Sequence, residues 1–283
     1  MMNNQLSDAL CTGFPLLDKA TGGIKKGSLT IIKGGPCVGK MSLLLSLLLH
    51  SVRHGHTIGF FCNQYDLNDS IGRLYIMSEL TQEEEDRILV CDSKTMTLQD
   101  FREIAEHMVR KGADVLFIHA LESLDCENND AILSRITNAK VLKALAVTLD
   151  VPVVATMMGG HDHSKKLQDG RSAIAPPSIT EEFQDYSEVV SFADSVWLLH
   201  RPSAYRDRVD VRFIEDSPEY NTELMIAKNN EGAQCTIPMI FNRDKLLFEE
   251  TGVSALPYSE EENMRLSKLI RPSPCQSLDY EPF

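Results

Sequence analysis

Short apolar runs alternate with segments of helical period along most of the chain. Ser28 to Lys33 (SLTIIK), Thr57 to Cys62 (TIGFFC), Asp114 to His119 (DVLFIH), Val151 to Met157 (VPVVATM) and Ser195 to His200 read as strands. Between them, Lys40 to Arg53 is a leucine-rich helix, apolar on nearly every side, which predicts deep burial. Leu67 to Leu80 is a polar helix with Asn68 or Asp66 available as its cap, Leu98 to Lys111 is amphipathic and stops at Gly112, and Asp130 to Leu149 is a long helix. This alternation predicts an α/β fold with a mostly parallel central sheet and helices on both faces.

The pattern then changes. Met158 to Ile179 is rich in Gly, His, Lys, Asp and Pro without periodicity, and so long an irregular stretch is expected to be functional or mobile. After a short helix and the strand ending at His200, alternating stretches at Val209 to Ile214, Glu223 to Ala227 and Thr236 to Phe241 predict an antiparallel extension. The expected organisation is a short lead (1–11), one domain (12–250) and a Ser-, Pro- and Glu-rich, weakly ordered tail (251–283), with a candidate helical turn at Glu260 to Ile270.

Composition narrows the possibilities. The 283 residues are 43% hydrophobic and 24% charged, ordinary for a globular protein with one substantial core. No apolar run has the length of a bilayer span and Met1 to Gln5 lacks signal-peptide character, so a cytoplasmic location is expected. The seven cysteines (11, 37, 62, 91, 126, 235 and 275) are scattered and never spaced C-x-x-C, which suggests reduced thiols, not a disulfide framework or zinc site. A net charge of −13 opposes non-specific attachment to nucleic acid.

The chemistry concentrates in Gly34-Gly35-Pro36-Cys37-Val38-Gly39-Lys40-Met41. Its spacing fits the phosphate-binding loop, where backbone N–H groups and a lysine surround phosphates between a strand and a helix. The last position should be Ser or Thr to hold Mg²⁺, but it is Met41, whose thioether offers that ion nothing useful. Ser42 comes one residue late and on a helix points about 100° away. Gly34 to Ser42 are therefore candidate nucleotide-binding residues for ATP, ADP or phosphate, with no expectation of Mg²⁺.

Thr12-Gly13-Phe14, Leu17-Asp18, Gly22-Gly23 and Gly27-Ser28-Leu29, followed by this loop, resemble the opening of the RecA-type motor domain of DnaB-type replicative DNA helicases. Phe60-Phe61-Cys62, Ala193-Asp194 and Ile226-Ala227-Lys228 with Gly232 extend the resemblance over roughly Cys11 to Glu250. It implies a RecA-like P-loop NTPase fold and an ATP-hydrolysing ring that draws single-stranded DNA through its centre. Each implied role meets an unsuitable residue. The carboxylate ending the third strand is His119, the glutamate after the second strand is Gln64, the γ-phosphate-reporting residue ending the fourth strand is Met158, and the arginine finger two residues after Lys228 is Asn230. Such a finger is worth about 10³ to 10⁵ in rate, or about 4 to 7 kcal/mol. With Met41, five catalytic positions fail together, which predicts a pseudo-ATPase acting as a regulatory or binding partner in DNA replication. The alternative is an active helicase with relocated catalytic groups, for which Glu122 or Asp125 are the nearby carboxylates and Lys228 a trans-acting candidate.

The helix expected to face a DNA channel reads Thr180 to Glu188 (TEEFQDYSE), and no Lys or Arg occurs from Ser172 through Leu199. That acidity does not favour nucleic acid as a partner. His161 to Lys166 with Arg171 is thin for a basic groove. The resemblance leaves no room before Thr12 for the helicases' amino-terminal domain, so a protein partner or self-association is expected to use the RecA-like faces. His161 and His163 with His119 form a candidate transition-metal set, although solvated histidines are the plainer reading and no metal is expected. Trp197 is read as core.

Overall fold

Each central apolar run is followed by a helix that returns the chain to the same end of the sheet, and this connection pairs the strands in parallel. The protein is described by a computed structural model over residues 9–62, 67–93, 96–124, 130–159, 164–166, 172–174, 186–205, 221–261 and 264. The strands are β1 Ala9–Leu10, β2 Ile24–Lys25, β3 Leu29–Gly34, β4 Ile58–Cys62, β5 Ile88–Cys91, β6 Val115–His119, β7 Val153–Met158, β8 Ser164–Lys166, β9 Ser172–Ile174, β10 Ser195–His200, β11 Thr222–Asn229, β12 Cys235–Asn242, β13 Leu247–Glu250 and β14 Leu256–Pro257. The α-helices are α1 Pro15–Thr21, α2 Lys40–Arg53, α3 Leu67–Met77, α4 Gln82–Asp86, α5 Leu98–Arg110, α6 Ala131–Leu149 and α7 Ser187–Phe192.

The main sheet runs β13-β12-β11-β10-β3-β7-β6-β4-β5, with β14 against β12. From β10 to β5 every pairing is parallel, and from β10 to β13 every pairing is antiparallel. The expected parallel core and antiparallel extension are both present. Because strand side chains alternate, Ile32, Phe60, Phe117 and Trp197 join α2 in one buried cluster, while Ile31, Phe61, Leu116 and Leu198 join α5, α6 and α7 in the other. Twelve residues of α2 are buried, as its all-round apolar pattern requires.

Several elements differ from the sequence reading. Residues 81–97 carried no expectation, yet β5 forms a parallel edge strand there, its four-residue apolar run being too short to stand out. Thr81 and Thr97 each close a capping box, with Glu84 and Asp100, at the starts of α4 and α5. The stretch after Met158 is not wholly irregular, since β8 and β9 pair antiparallel within it. The tail expected to be weakly ordered supplies β14, which pairs Cys235 with Pro257. The stretch Val209 to Ile214, most of the channel-facing segment (Thr180 to Asp185), Asp125 and nearly all of the candidate turn beyond Glu261 lie outside the described residues.

The motif residues near the start act as structure. Asp18 accepts from the Thr12 backbone N–H at 2.8 Å, and Gly22 ends α1 in the left-handed region at φ 75°. Glu250, far along the chain, accepts from the Leu16 and Leu17 N–H groups and so caps α1. Trp197 is fully buried and donates to Ser195 Oγ at 2.7 Å. Among the described residues no helix is long and apolar enough to cross a membrane.

Candidate nucleotide-binding site

The loop sits where β3 ends and α2 begins, at the carboxyl edge of the parallel strands, where ligands of α/β sheets bind. Two glycines are demanded by their surroundings. A side chain at Gly34 would come within 2.7 Å of the Leu199 carbonyl oxygen, and Gly39, at φ 111°, would press on the Phe248 ring at 2.8 Å. Cys37 also adopts a left-handed conformation, at φ 60°, which is strained for a residue with a side chain. The loop is held from outside by Arg201, just past β10, whose Nε donates to Val38 O at 2.9 Å and Nη2 to Cys37 O at 2.5 Å. The same guanidinium lies 4.4 Å from the Phe241 ring centroid. A recess of about 380 Å³ opens beside it, lined by Cys37, Arg201, Ser203, Phe241, Arg243 and Leu246 among others. Nothing in the sequence around Arg201 marks it as a loop anchor; only the antiparallel return of β11 and β12 places Phe241 beneath it.

Lys40 is folded onto its own loop. Its ammonium donates to Gly34 O at 2.8 Å and Gly35 O at 2.7 Å, and lies 3.6 Å from the Met158 sulfur. An ammonium has three donors, and a thioether is a weak acceptor, so the Met158 direction is where a phosphoryl oxygen would gain most. Burial lowers the Lys40 pKa to about 8, against the pull of Glu122 and Cys37.

The metal positions do not fit a divalent cation. Met41 is 7% exposed and belongs to the apolar cluster around α2. His119 is buried, its Nδ1 lies 2.7 Å from Thr156 Oγ1, and burial followed by the charge of Lys40 lowers its pKa to about 4, leaving a neutral imidazole at pH 7. Among the described residues no group of three or more His, Cys, Asp or Glu is arranged to hold a metal ion. His161 and His163, the other candidates, and Gln64 lie outside the described residues.

Among the described residues one carboxylate stands at the cradle, three residues beyond the expected position. Glu122 lies in a 3₁₀ turn (Leu121–Ser123) that the buried amide of Asn138 clamps, donating to Leu121 O at 3.0 Å and Leu124 O at 2.9 Å. Its Oε1 accepts from the Met158 N–H at 3.1 Å, and burial raises its pKa against the opposing pull of its own backbone N–H, Arg135, the Met158 N–H and Lys40. Its Oε2 is buried without a hydrogen-bond partner among the described residues. Met158 is thus adjacent to the loop, paired in register with Gly34, and presents its sulfur to Lys40.

Lys228 and Asn230 lie at the other end of the strands. Lys228, the candidate for action on a neighbour, is 2% exposed, and its ammonium donates to Val190 O, Ser191 O and Ala193 O at 3.0, 3.4 and 2.5 Å, closing the end of α7. Desolvation lowers its pKa to about 8. Asn230 donates to Asp194 Oδ1 at 3.3 Å, while Asp194 Oδ2 accepts from Leu29 N–H and from Lys143, each at 2.8 Å. These groups tie β3, β10 and β11 together around a polar recess of about 180 Å³.

A family model described as DnaB-like helicase C terminal domain matches residues 63–250, about two thirds of the chain. The chain belongs to that family. The match begins after the phosphate loop, whose assignment rests on its own geometry. The DnaB-like chain is 24% identical over 267 residues to a probable plasmid replicative DNA helicase of Chlamydia psittaci, covering 83% of this chain and 54% of the relative. It is 25% identical over 263 residues to the replicative DNA helicase DnaB of Leifsonia xyli subsp. xyli, covering 81% and 53%. It therefore spans about half the length of these curated relatives. A solved DnaB-like replicative helicase, described with its interactions with primase, aligns at TM-score 0.68 and 18% identity over 85% of this chain and 61% of that one. A KaiC-like protein from Pyrococcus horikoshii aligns at TM-score 0.61 and 14% identity, over 88% and 99%. At these identities the structural likenesses speak for the RecA-like fold alone.

Proposed function

We propose that this DnaB-like domain serves DNA replication as a nucleotide-binding, non-hydrolysing partner. Its loop takes the phosphates of ATP or ADP, or phosphate itself, without Mg²⁺, and the protein acts through contact with a replication protein or a second copy of itself in the cytoplasm. The observation that carries this reading is the placement of Met41. The residue that should offer a hydroxyl to a metal is instead packed into the core beneath the loop, so regaining that ligand means dismantling apolar packing. The neutral His119 supports it. The replicative helicases to which the chain is similar supply the replication context. The acidic stretch at 180–188 argues against DNA as the partner.

A second reading, an ATP-driven helicase with relocated groups, is favoured by Glu122, a carboxylate close enough to the cradle for its charge to act on Lys40. Turnover of ATP by the purified protein separates the two. The proposal expects no Mg²⁺-dependent hydrolysis above background, with or without single-stranded DNA. DNA-stimulated hydrolysis that disappears in Lys40→Ala would establish the second reading. Calorimetry showing no binding of ATP or ADP, with or without Mg²⁺, would remove nucleotide from both.

A further inference from the structure

We infer that Glu122 recognises the bound phosphoryl group as a neutral carboxylic acid, donating a hydrogen bond from Oε2, so that a proton takes the place a metal ion would fill. This inference rests on nucleotide binding at the Lys40 loop and says how that site tolerates a carboxyl group without a cation bridge.

The geometry supplies the argument. Glu122 is fixed, not free to swing away: Asn138 clamps both ends of its turn, Ser123 Oγ donates to Ala120 O at 2.7 Å, and the Met158 N–H occupies Oε1. Oε2 is left buried and unpartnered among the described residues. Such an oxygen is costly as an anion and calls for a donor, a cation or its own proton. No described donor meets it. Two Lys40 N–H bonds go to Gly34 O and Gly35 O and the third faces the Met158 sulfur, while Arg135 Nη1 donates to Tyr186 Oη at 3.0 Å and its buried Nε, itself without a partner among the described residues, makes no hydrogen bond to Oε2. Met158 joins the two groups, since its N–H meets Glu122 and its sulfur lies against Lys40. A phosphoryl oxygen that replaces the sulfur as acceptor for Lys40 would arrive beside Glu122.

An ionised Glu122 would repel it. A protonated one, having taken its proton from solvent, donates an O–H···O⁻ bond, among the stronger kinds available to a protein. The charged groups around Glu122 are Lys40 from α2 and Arg135 from α6, with neutral His119 on β6, Arg73 of α3 acting on that histidine, and Lys33 of β3 over the Tyr186 ring, 4.0 Å from its centroid. Burial already biases Glu122 toward its neutral form, and His119 and Lys40, at about 4 and about 8, titrate toward the ends of the relevant range.

The test is calorimetric titration of ADP in EDTA from pH 5 to 8, on wild type, Glu122→Gln and Lys40→Ala. The Gln amide donates permanently, so the inference expects Glu122→Gln to bind at least as tightly as wild type at pH 8. The ratio of wild-type to variant affinity should rise on acidification by up to about tenfold per pH unit, the limit for one proton. Comparing variants cancels the titration of ADP itself. Buffers of different ionisation enthalpy should show wild type taking up more protons on binding than the variant, by up to one. Identical pH profiles and proton uptake in the two proteins would overturn the inference while leaving nucleotide binding intact. So would Mg²⁺ tightening wild type, but not Glu122→Gln, more than tenfold, since Glu122 would then be a metal ligand. Absence of ADP binding by wild type at every pH would instead defeat the underlying functional reading, and this inference with it. Should Glu122→Gln not fold, wild type that takes up no more protons than ADP alone accounts for would decide against it.

Discussion

Arg201 donates from Nε to the carbonyl oxygen of Val38 at 2.9 Å, holding the phosphate loop from a strand end 163 residues further along the chain. Buried hydrogen bonds from a charged donor are worth about 1.5 to 3 kcal/mol, and this guanidinium makes two and covers Phe241 as well. Arg201→Ala should therefore destabilise the protein by about 2 to 3 kcal/mol in urea unfolding and weaken nucleotide binding about tenfold. Arg201→Lys should recover little, because an ammonium cannot span both carbonyls and the ring.

Met41→Ser places the family's hydroxyl at the end of the loop. Truncating a buried methionine costs about 2 to 4 kcal/mol, so urea unfolding should show a loss of that size. ATP turnover should stay at background, since a metal contact alone restores neither a base nor a finger. Robust Mg²⁺-dependent hydrolysis in Met41→Ser would show that Met41 was the sole defect.

His119 makes stability depend on acid. Its folded-state pKa, lowered from 6.5 to about 4, means that the unfolded chain binds more protons between those values. Stability is complete above pH 6.5 and is lost as pH falls toward 4, by roughly 3 kcal/mol in all. His119→Asn should flatten the urea midpoint over this interval relative to wild type. A variant retaining the full acid sensitivity would assign it to other groups.

Lys228 is a structural cation. Lys228→Met keeps the stem and removes the charge, leaving three carbonyls at the end of α7 without their donor, and should cost about 2 to 3 kcal/mol in thermal or urea unfolding. Self-association, measured by sedimentation, should be unaffected at temperatures where the variant remains folded.

The sequence located what is locally coded. α2 begins at Lys40 and ends at Arg53 where the leucine pattern does, and β3, β4, β6 and β10 lie within a residue of their apolar runs, because burial of those runs on both faces leaves one periodicity that fits. The phosphate loop was legible for the same reason: its spacing and its glycines answer to local backbone geometry. β5 and the small β8–β9 hairpin were not, since their stability comes from neighbours and their runs are too short to carry a period. The spacing from the end of β6 marks His119, whereas the turn that Asn138 clamps, which brings Glu122 to the cradle, depends on a contact between residues 14 to 17 positions apart.

The sequence by itself determined the α/β class and the phosphate loop with Met41 at its end, because residue identity and short-range spacing are written in order along the chain. Only the tertiary structure decided that Arg201 grips the loop, that Lys40 folds onto its own carbonyls beside Met158, that Glu122 stands next to them and that Lys228 is sealed against α7. Those relationships join residues up to 163 positions apart, and they follow from strand order and from which side chains are driven out of water together, which a local pattern does not encode.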